Sequence, residues 1–414
     1  MTARHFVFVE SNTTGTGKLA VDRLLDGGHR VTFVTGQPEK YPFLNRRDPG
    51  LCLAHADTND PAAAEACVRR LAADRPIDAL LTFSTFYVPL AAELAAGLGL
   101  RYLNPRAAAT CHHKHRTREV LARAGLPTPG FWLIGSPAEA ERLARTIAYP
   151  CVVKPTAESG STGVRRVDDR DQLLAHVAAL AARKVNERGQ PLTGEVLVED
   201  FITGPEFSVE TLTLARGDTR VIGATRKHLS PPPHFVELGH DFPADLAPAA
   251  RASLEAATLA ALDAVDFDLG PAHTELRLSP TGPVVIEINP RLAGGMIPEL
   301  VRHATGLDLL ALLLDQLLGA PLDLRPTRRH AASIRFITAE RDGRLAAVHA
   351  VDDARALDLV REVAVDKPIG ARVRPPHSAT DRLGYVIAAG EDATAVQAAA
   401  DRARATVRLD VEDP

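Results

Sequence analysis

The chain has 414 residues, 45% of them hydrophobic and 24% charged, with a formal net charge of −4 at pH 7. That length allows two to four structural units, and so small a net charge gives no field that would hold nucleic acid or an anionic membrane. The chain runs directly into Phe6-Val-Phe-Val9 with no basic segment and long apolar stretch ahead of it, so no signal peptide is expected. No apolar run approaches the length of a bilayer span. Cys52, Cys67, Cys111 and Cys151 lack C-x-x-C spacing and read as reduced thiols of a cytoplasmic protein.

The first hundred residues alternate: strand 5–9, helix 18–26 ended by Gly27-Gly28, strand 30–35, helix 61–73, strand 79–83, helix 88–97 and a short strand 101–103. This rhythm predicts a parallel sheet with helices on both faces, whose ligands sit beyond the carboxyl ends of the strands. The turn 11–18 and the segment 84–87 fall there. The turn carries Gly15-Thr-Gly17-Lys18, but Asn12 stands where a P-loop has its first glycine and Leu19 where it has a hydroxyl. The dinucleotide pattern G-x-G-x-x-G fails at Ala20. The turn therefore reads as a strand-to-helix connection, or as one whose amides face a ligand.

From Pro105 the pattern changes. A helix over 107–124 closes at Gly125 and Pro127, followed by strand 131–134, helix 137–147 and strand 151–154. A hairpin at 160–163 leads into strand 164–167 and helix 169–182, then strands 196–201, 207–214 and 220–228. Prolines 231–233 interrupt the chain; helix 248–265 precedes strands 272–278 and 283–289, and a helix covers 297–318. From 330 onward, strands with one late helix at 393–406 read as a small α/β appendage.

The sharpest chemical signal is His273-Thr-Glu275-Leu-Arg277, followed by Val284-Val-Ile-Glu287-Ile-Asn289-Pro-Arg291. Glu287 and Asn289 are two apart and leave the same face of a strand, and a short hairpin brings Glu275 beside them. Three oxygen donors without sulfur or imidazole suit Mg²⁺, and a carboxylate in so apolar a run is costly without a cation or partner. Arg291 can reach an anion on the same side. Second, Lys154 ends the apolar strand Cys151-Val-Val before Glu158-Ser159-Gly160-Ser161-Thr162-Gly163, a point charge next to a loop of amides and hydroxyls able to cover phosphates. Third, Lys114 lies in the basic helix end His112-His113-Lys114-His115-Arg116, whose histidines lack metal-site spacing. Fourth, Glu199-Asp200-Phe201-Ile202 with Glu206 forms a strand end whose backbone can meet adenine N6 and whose carboxylates can accept from ribose hydroxyls. Alone it is equally an edge strand with charged guards.

In that order these segments resemble the ATP-grasp superfamily of carboxylate–amine ligases, over about residues 1–330 and most closely over 107–295. The matching pieces are Lys114 ahead of Arg123-Ala-Gly-Leu-Pro-Thr-Pro129, the Val-Val-Lys154-Pro strand with its loop, the Glu199 strand, and the pair of strands ending Glu287-Ile-Asn289-Pro-Arg291. The resemblance implies a mixed α/β and α+β fold. Its parts are an N-terminal parallel-sheet domain over 1–106, an ATP-grasp domain over 107–329 with a mobile lid at about 148–214, and a C-terminal α/β domain over 330–414. It implies ATP with two Mg²⁺ ions, or Mn²⁺ in their place. Lys114, Lys154, Glu158, Ser159, Gly160, Ser161, Thr162, Gly163, Glu199, Asp200, Phe201, Ile202 and Glu206 would hold the nucleotide. Glu275, Glu287 and Asn289 would hold metal, with Arg291 and Lys154 catalytic.

Phe235-Val-Glu237-Leu-Gly-His240 and Gly294-Gly295-Met296-Ile297-Pro298 resemble the segments with which bacterial L-amino-acid ligases (dipeptide synthetases) bind the amino acid. This implies that Glu237 meets an amino group, that His240 lines the pocket, and that Gly294 and Gly295 receive a carboxylate together with Arg291. The implied reaction phosphorylates a carboxylate with ATP and lets an amine displace the phosphate, as in small-peptide or siderophore biosynthesis. The implied partners are a small carboxylate and a small amine, with no nucleic acid or membrane, and a homodimer is among the assemblies allowed. Two other readings share the ATP site. One is a biotin- or purine-pathway carboxylase, whose bicarbonate and biotin signatures are not found in the sequence. The other is a non-catalytic nucleotide-binding protein, against which the intact Glu275, Glu287, Asn289 and Arg291 argue.

Overall fold

The computed structural model describes residues 3–13 and 15–413. Its N-terminal strands pair in parallel in the order Leu51–His55, Arg30–Thr35, His5–Val9, Ala79–Leu81. Both faces are covered: Phe6, Phe8 and Phe33 pack with Val21 and Leu24 on one side, Val7, Val9 and Val34 with Val68 and Leu94 on the other. Leu51–His55 has no counterpart among the sequence-predicted strands. It is an edge strand with Leu53 half exposed, so it lacks the buried apolar run that marks its neighbours. Residues 101–103 were expected to be a strand and are not one.

A second sheet is antiparallel, in the order Phe131–Ile134, Val196–Asp200, Cys151–Pro155, Arg165–Val167. Helices Pro137–Leu143 and Arg170–Ala181 back it around Val153, Val167, Leu173 and Val198. This sheet corresponds to the expected lid, but it takes in Phe131–Ile134, ahead of the expected start at about 148. At the other end, Glu206–Ala215 lies outside it, pairing with Gly270–Ser279 and Asp218–Leu229.

Those strands belong to an eight-stranded antiparallel sheet. Its order is Gly282–Asn289, Gly270–Ser279, Glu206–Ala215, Asp218–Leu229, Glu237–Phe242, Ala331–Ile337, Gly384–Gly390, Val360–Val365. The last three come from beyond residue 330, so the C-terminal α/β segment is joined to the central sheet, with Glu237–Phe242 pairing directly with Ala331–Ile337. Helix Pro248–Ala264 covers one face of the sheet through Leu254, Ala261 and Leu262 against Phe207, Leu276 and Ile288.

Two expected helices are each divided. The 107–124 helix stops at His112 and restarts at Lys114, because His113 is extended at φ −96°, ψ 104°. The break frees the Lys114 amide to donate to the Thr156 carbonyl of the lid, at 3.0 Å. The 297–318 helix breaks at Gly306, whose φ of +80° is left-handed. Asp308 then caps the next helix, Leu309–Leu317.

Candidate active site

The register of the large sheet puts its polar side chains on one face. Glu275 lies opposite Glu287, and His273 opposite Asn289. On the next strand Ser208 lies opposite Glu275, and Glu210 opposite His273. Alternation sends Leu276 and Ile288 to the helix-covered face. Ile286 is the extra residue of a bulge between the paired strands. Its carbonyl accepts from the Arg118 guanidinium at 2.5 Å.

This face, the lid and the N-terminal domain enclose a cavity of about 320 Å³. Lys114 and Lys154 reach it as buried cations. Lys114 donates to the Glu158 carbonyl at 2.6 Å and pairs with Glu287 at 3.0 Å. Lys154 pairs with Glu199 at 2.6 Å, and Arg118 takes the other Glu199 oxygen at 2.7 Å. Burial pushes the Glu199 carboxyl up, but the Arg118 and Lys154 charges outweigh it and hold it below its ordinary value. Both Glu199 oxygens are engaged and its side chain is only 3% exposed, so it anchors Lys154 instead of standing open to a ribose.

Other nucleotide-site candidates also differ in what their side chains do. The Glu158 carboxylate turns to Arg183, leaving its carbonyl to Lys114. Asp200 accepts from the Gly130 amide at 3.1 Å. Phe201 and Ile202 line the cavity, with Val152 and Ile286 forming an apolar slot. Glu206 is shared by Lys227 at 3.2 Å and Arg277 at 3.1 Å. Ser159 to Thr162 line the cavity, whereas Gly163 lies behind them with its carbonyl bonded to His176. The loop is pinned from outside: Ser161 donates to the Phe235 carbonyl at 3.0 Å, and the Ala379 amide to the Gly160 carbonyl at 3.1 Å.

On the opposite wall, Glu275 meets Lys227 at 3.0 Å and His273 at 3.2 Å. The His273 ring also meets Glu210 at 2.9 Å; burial pulls the imidazole down, yet these carboxylates push it up to about 9. Asn289 and Arg291 approach within 3.4 Å, and Arg291 donates to the Thr85 hydroxyl at 2.6 Å. Among the described residues, no cluster of three or more His, Cys, Asp and Glu forms a metal site. The oxygen-only set of two carboxylates and one carboxamide nevertheless fits a hard divalent cation.

Glu237 faces the same cavity, paired with Lys227 at 2.6 Å and Arg382 at 2.8 Å. Burial raises its carboxyl, and Lys227, with His240 and Arg382, holds it well below the carboxylate range. His240 does not reach the cavity wall. Only 1% exposed, it lies beneath Gly295, where a Cβ would come 2.5 Å from the ring. Its Nε2 is 3.3 Å from Glu237 without hydrogen-bond alignment. Gly294 and Gly295 themselves line the cavity ahead of helix Ile297–Thr305. Of the turn 11–18, Asn12 lines the cavity and accepts from the Gly17 amide at 2.9 Å; Thr14 lies outside the described residues.

Sequence reasoning missed Lys227, Arg118, Arg382 and Arg188, and placed Thr85 only as part of the segment 84–87 at the strand ends. Arg118 had a local signal, four residues after Lys114 on one helix face. Lys227 sits in a strand interior between the uncharged same-face neighbours Thr225 and Leu229, and so asks for cross-strand carboxylates. Arg382 and Arg188 come from distant segments and carry no local signal.

Two lysines at a glycine and serine loop, facing oxygen donors with an arginine at their end, define a site for nucleotide-dependent phosphoryl transfer. Comparison with known proteins agrees. Residues 147–299 match the ATP-grasp domain, 26–100 the ATP-grasp N-terminal domain, and 335–412 the L-amino acid ligase C-terminal domain 2. The chain belongs to the ATP-grasp family of ATP-dependent ligases that form carbon–nitrogen bonds. It is 32% identical over 357 residues to the protein y4rH of Sinorhizobium fredii, covering 84% of this chain and 73% of that one. It is 31% identical over 280 residues to carnosine synthase 1 of Gallus gallus, covering 64% of this chain but only 30% of that protein. The fold matches that of an L-amino acid ligase from Bacillus licheniformis with a TM-score of 0.84 at 24% identity, over 100% of this chain and 99% of that one.

Proposed function

We propose that the chain joins an L-amino acid, or a related carboxylic acid, to an amine through an acyl phosphate, releasing ADP and phosphate. The observation that carries this reading is the single cavity holding Lys114, Lys154, Arg291 and the Glu275, Glu287 and Asn289 donors together with Glu237 and Gly294-Gly295. Lys114 and Lys154 would neutralise phosphate oxygens, and Arg291 would hold the carboxylate under attack. Glu275, Glu287 and Asn289 would hold two Mg²⁺ ions, or Mn²⁺, which neutralise phosphate charge when bound. Glu237 would accept from a substrate ammonium. The names carnosine synthase and L-amino acid ligase support an amino-acid substrate; small-peptide or siderophore synthesis, a cytoplasmic location and a homodimer are further parts of this proposal.

Phosphate release from Mg-ATP, measured against a panel of single amino acids and pairs with mass spectrometry of the products, tests this. A pair that gives phosphate and a product equal to the sum of the two less water supports it. Stimulation by bicarbonate alone would move the reading to a carboxylase. Within the site, Glu237→Ala is expected to raise the KM of the amino acid about tenfold or more, the worth of a charged hydrogen bond, with the KM of ATP little changed. Equal effects on both would make Glu237 an anchor of Lys227 only.

A further inference from the structure

Arg188 is a lid residue at the wall of the cavity made by the N-terminal domain. It is 8% exposed and lines the cavity with Asn12, Ser84 and Phe86. Its guanidinium donates to the Tyr41 hydroxyl at 3.0 Å and the Ser11 carbonyl at 2.8 Å, both neutral acceptors. Among the described residues no carboxylate forms an ion pair with it. Glu10 is reached only through Tyr41, and its oxygens already accept from Tyr41, Thr58 and the Gly36 amide. The loop that carries Arg188 is fixed in place: Asn59 donates to the Arg188 carbonyl at 2.9 Å, and the Arg188 amide donates to Asn186 at 2.9 Å.

A buried guanidinium without a counter-ion is costly. Holding the lid loop against the N-terminal domain does not require a charge, since neutral donors such as Asn59 already do that. The every-time-ionised fork is suited to a carboxylate. It also stands at the carboxyl ends of parallel strands, where such sheets take their ligands. Thr85, beside Ser84 and Phe86, binds Arg291, so this wall adjoins the reacting group.

We propose that Arg188 binds a carboxylate carried by one of the two substrates and not consumed in the reaction. It is either the α-carboxylate of the amine component or an acidic side chain. The inference rests on the ligase reading for its substrates, and the test separates the two. Calorimetric titrations would use L-amino acids and their α-carboxamides, and aspartate and glutamate against asparagine and glutamine. Each would be run with Mg²⁺ and a non-hydrolysable ATP analogue, on wild type, Arg188→Lys and Arg188→Gln. Wild type is expected to bind the carboxylate form about tenfold or more tighter than its amide. Arg188→Gln loses that preference, and Arg188→Lys keeps part of it, with nucleotide affinity unchanged in both. The α-carboxamide and side-chain arms tell which carboxylate is read.

Equal binding of acid and amide by wild type would overturn the proposal, as would a preference that survives in Arg188→Gln. If Arg188→Gln does not fold, a preference undiminished in Arg188→Lys overturns it, and a reduced one supports it. A preference without amide synthesis by the same preparation would remove the ligase reading and leave the carboxylate site standing. Synthesis without a preference would do the reverse.

Discussion

Glu287→Gln is expected to stop amide formation while the chain still folds. The glutamine keeps the size of the side chain and an oxygen for Lys114, which lies 3.0 Å from the native carboxylate. It removes the charge that, opposite Glu275 in the strand pair, would hold a cation against ATP. Loss of such charge stabilisation in a closed site is worth about 10²–10³ in rate, and removal of a metal ligand should reach at least that. Thermal stability should fall by about 0.5–3 kcal/mol, the range typical of single substitutions, because buried Lys114 keeps an oxygen partner but loses its counter-charge. Turnover is measured by product mass, and folding by circular dichroism and calorimetry. Unchanged turnover would take Glu287 out of the metal set.

Glu199→Gln is expected to be costly to the fold as well as to ATP binding. Arg118 and Lys154 share its two oxygens at 2.7 and 2.6 Å, and all three groups are buried. Without the carboxylate, two like charges face each other in the interior, and breaking a buried pair in this way costs about 3–5 kcal/mol. The pH dependence has a definite sign. The folded carboxyl lies below its ordinary value of 4.5, so its contribution is complete above that value and fades as pH falls through the depressed folded one. The stability gap between wild type and variant should therefore be flat near neutral pH and close toward acid. A gap that widened below pH 4.5 would contradict the assignment of Glu199 as the ionised partner.

The candidate site residues were legible where a strand imposes its period of two. Glu287 and Asn289 had to share a face, and a tight hairpin had to bring Glu275 to them. The Gly and Ser loop after Lys154 was legible because a run of glycines and hydroxyls, Ser159 to Gly163, follows an apolar strand that ends in a lysine. Partners contributed by distant segments were not. Nothing local in Thr85 tells that it binds Arg291, nor in Arg382 that it reaches Glu237 across 145 residues. Elements went wrong where a single residue redirects the chain: extended His113 splits one helix and left-handed Gly306 another. The exposed edge strand Leu51–His55 lacked a buried run to announce it. The joining of the C-terminal strands to the central sheet is a matter of long-range pairing, which composition and periodicity do not encode.

The most direct test of the acyl-phosphate account follows the carboxylate oxygen. The acid that stimulates phosphate release is supplied with both carboxylate oxygens as oxygen-18, together with Mg-ATP and its amine. The account predicts one labelled oxygen in inorganic phosphate, the other in the amide, and ADP as the nucleotide product. Label in AMP, or amide formation accompanied by unlabelled phosphate, would contradict it.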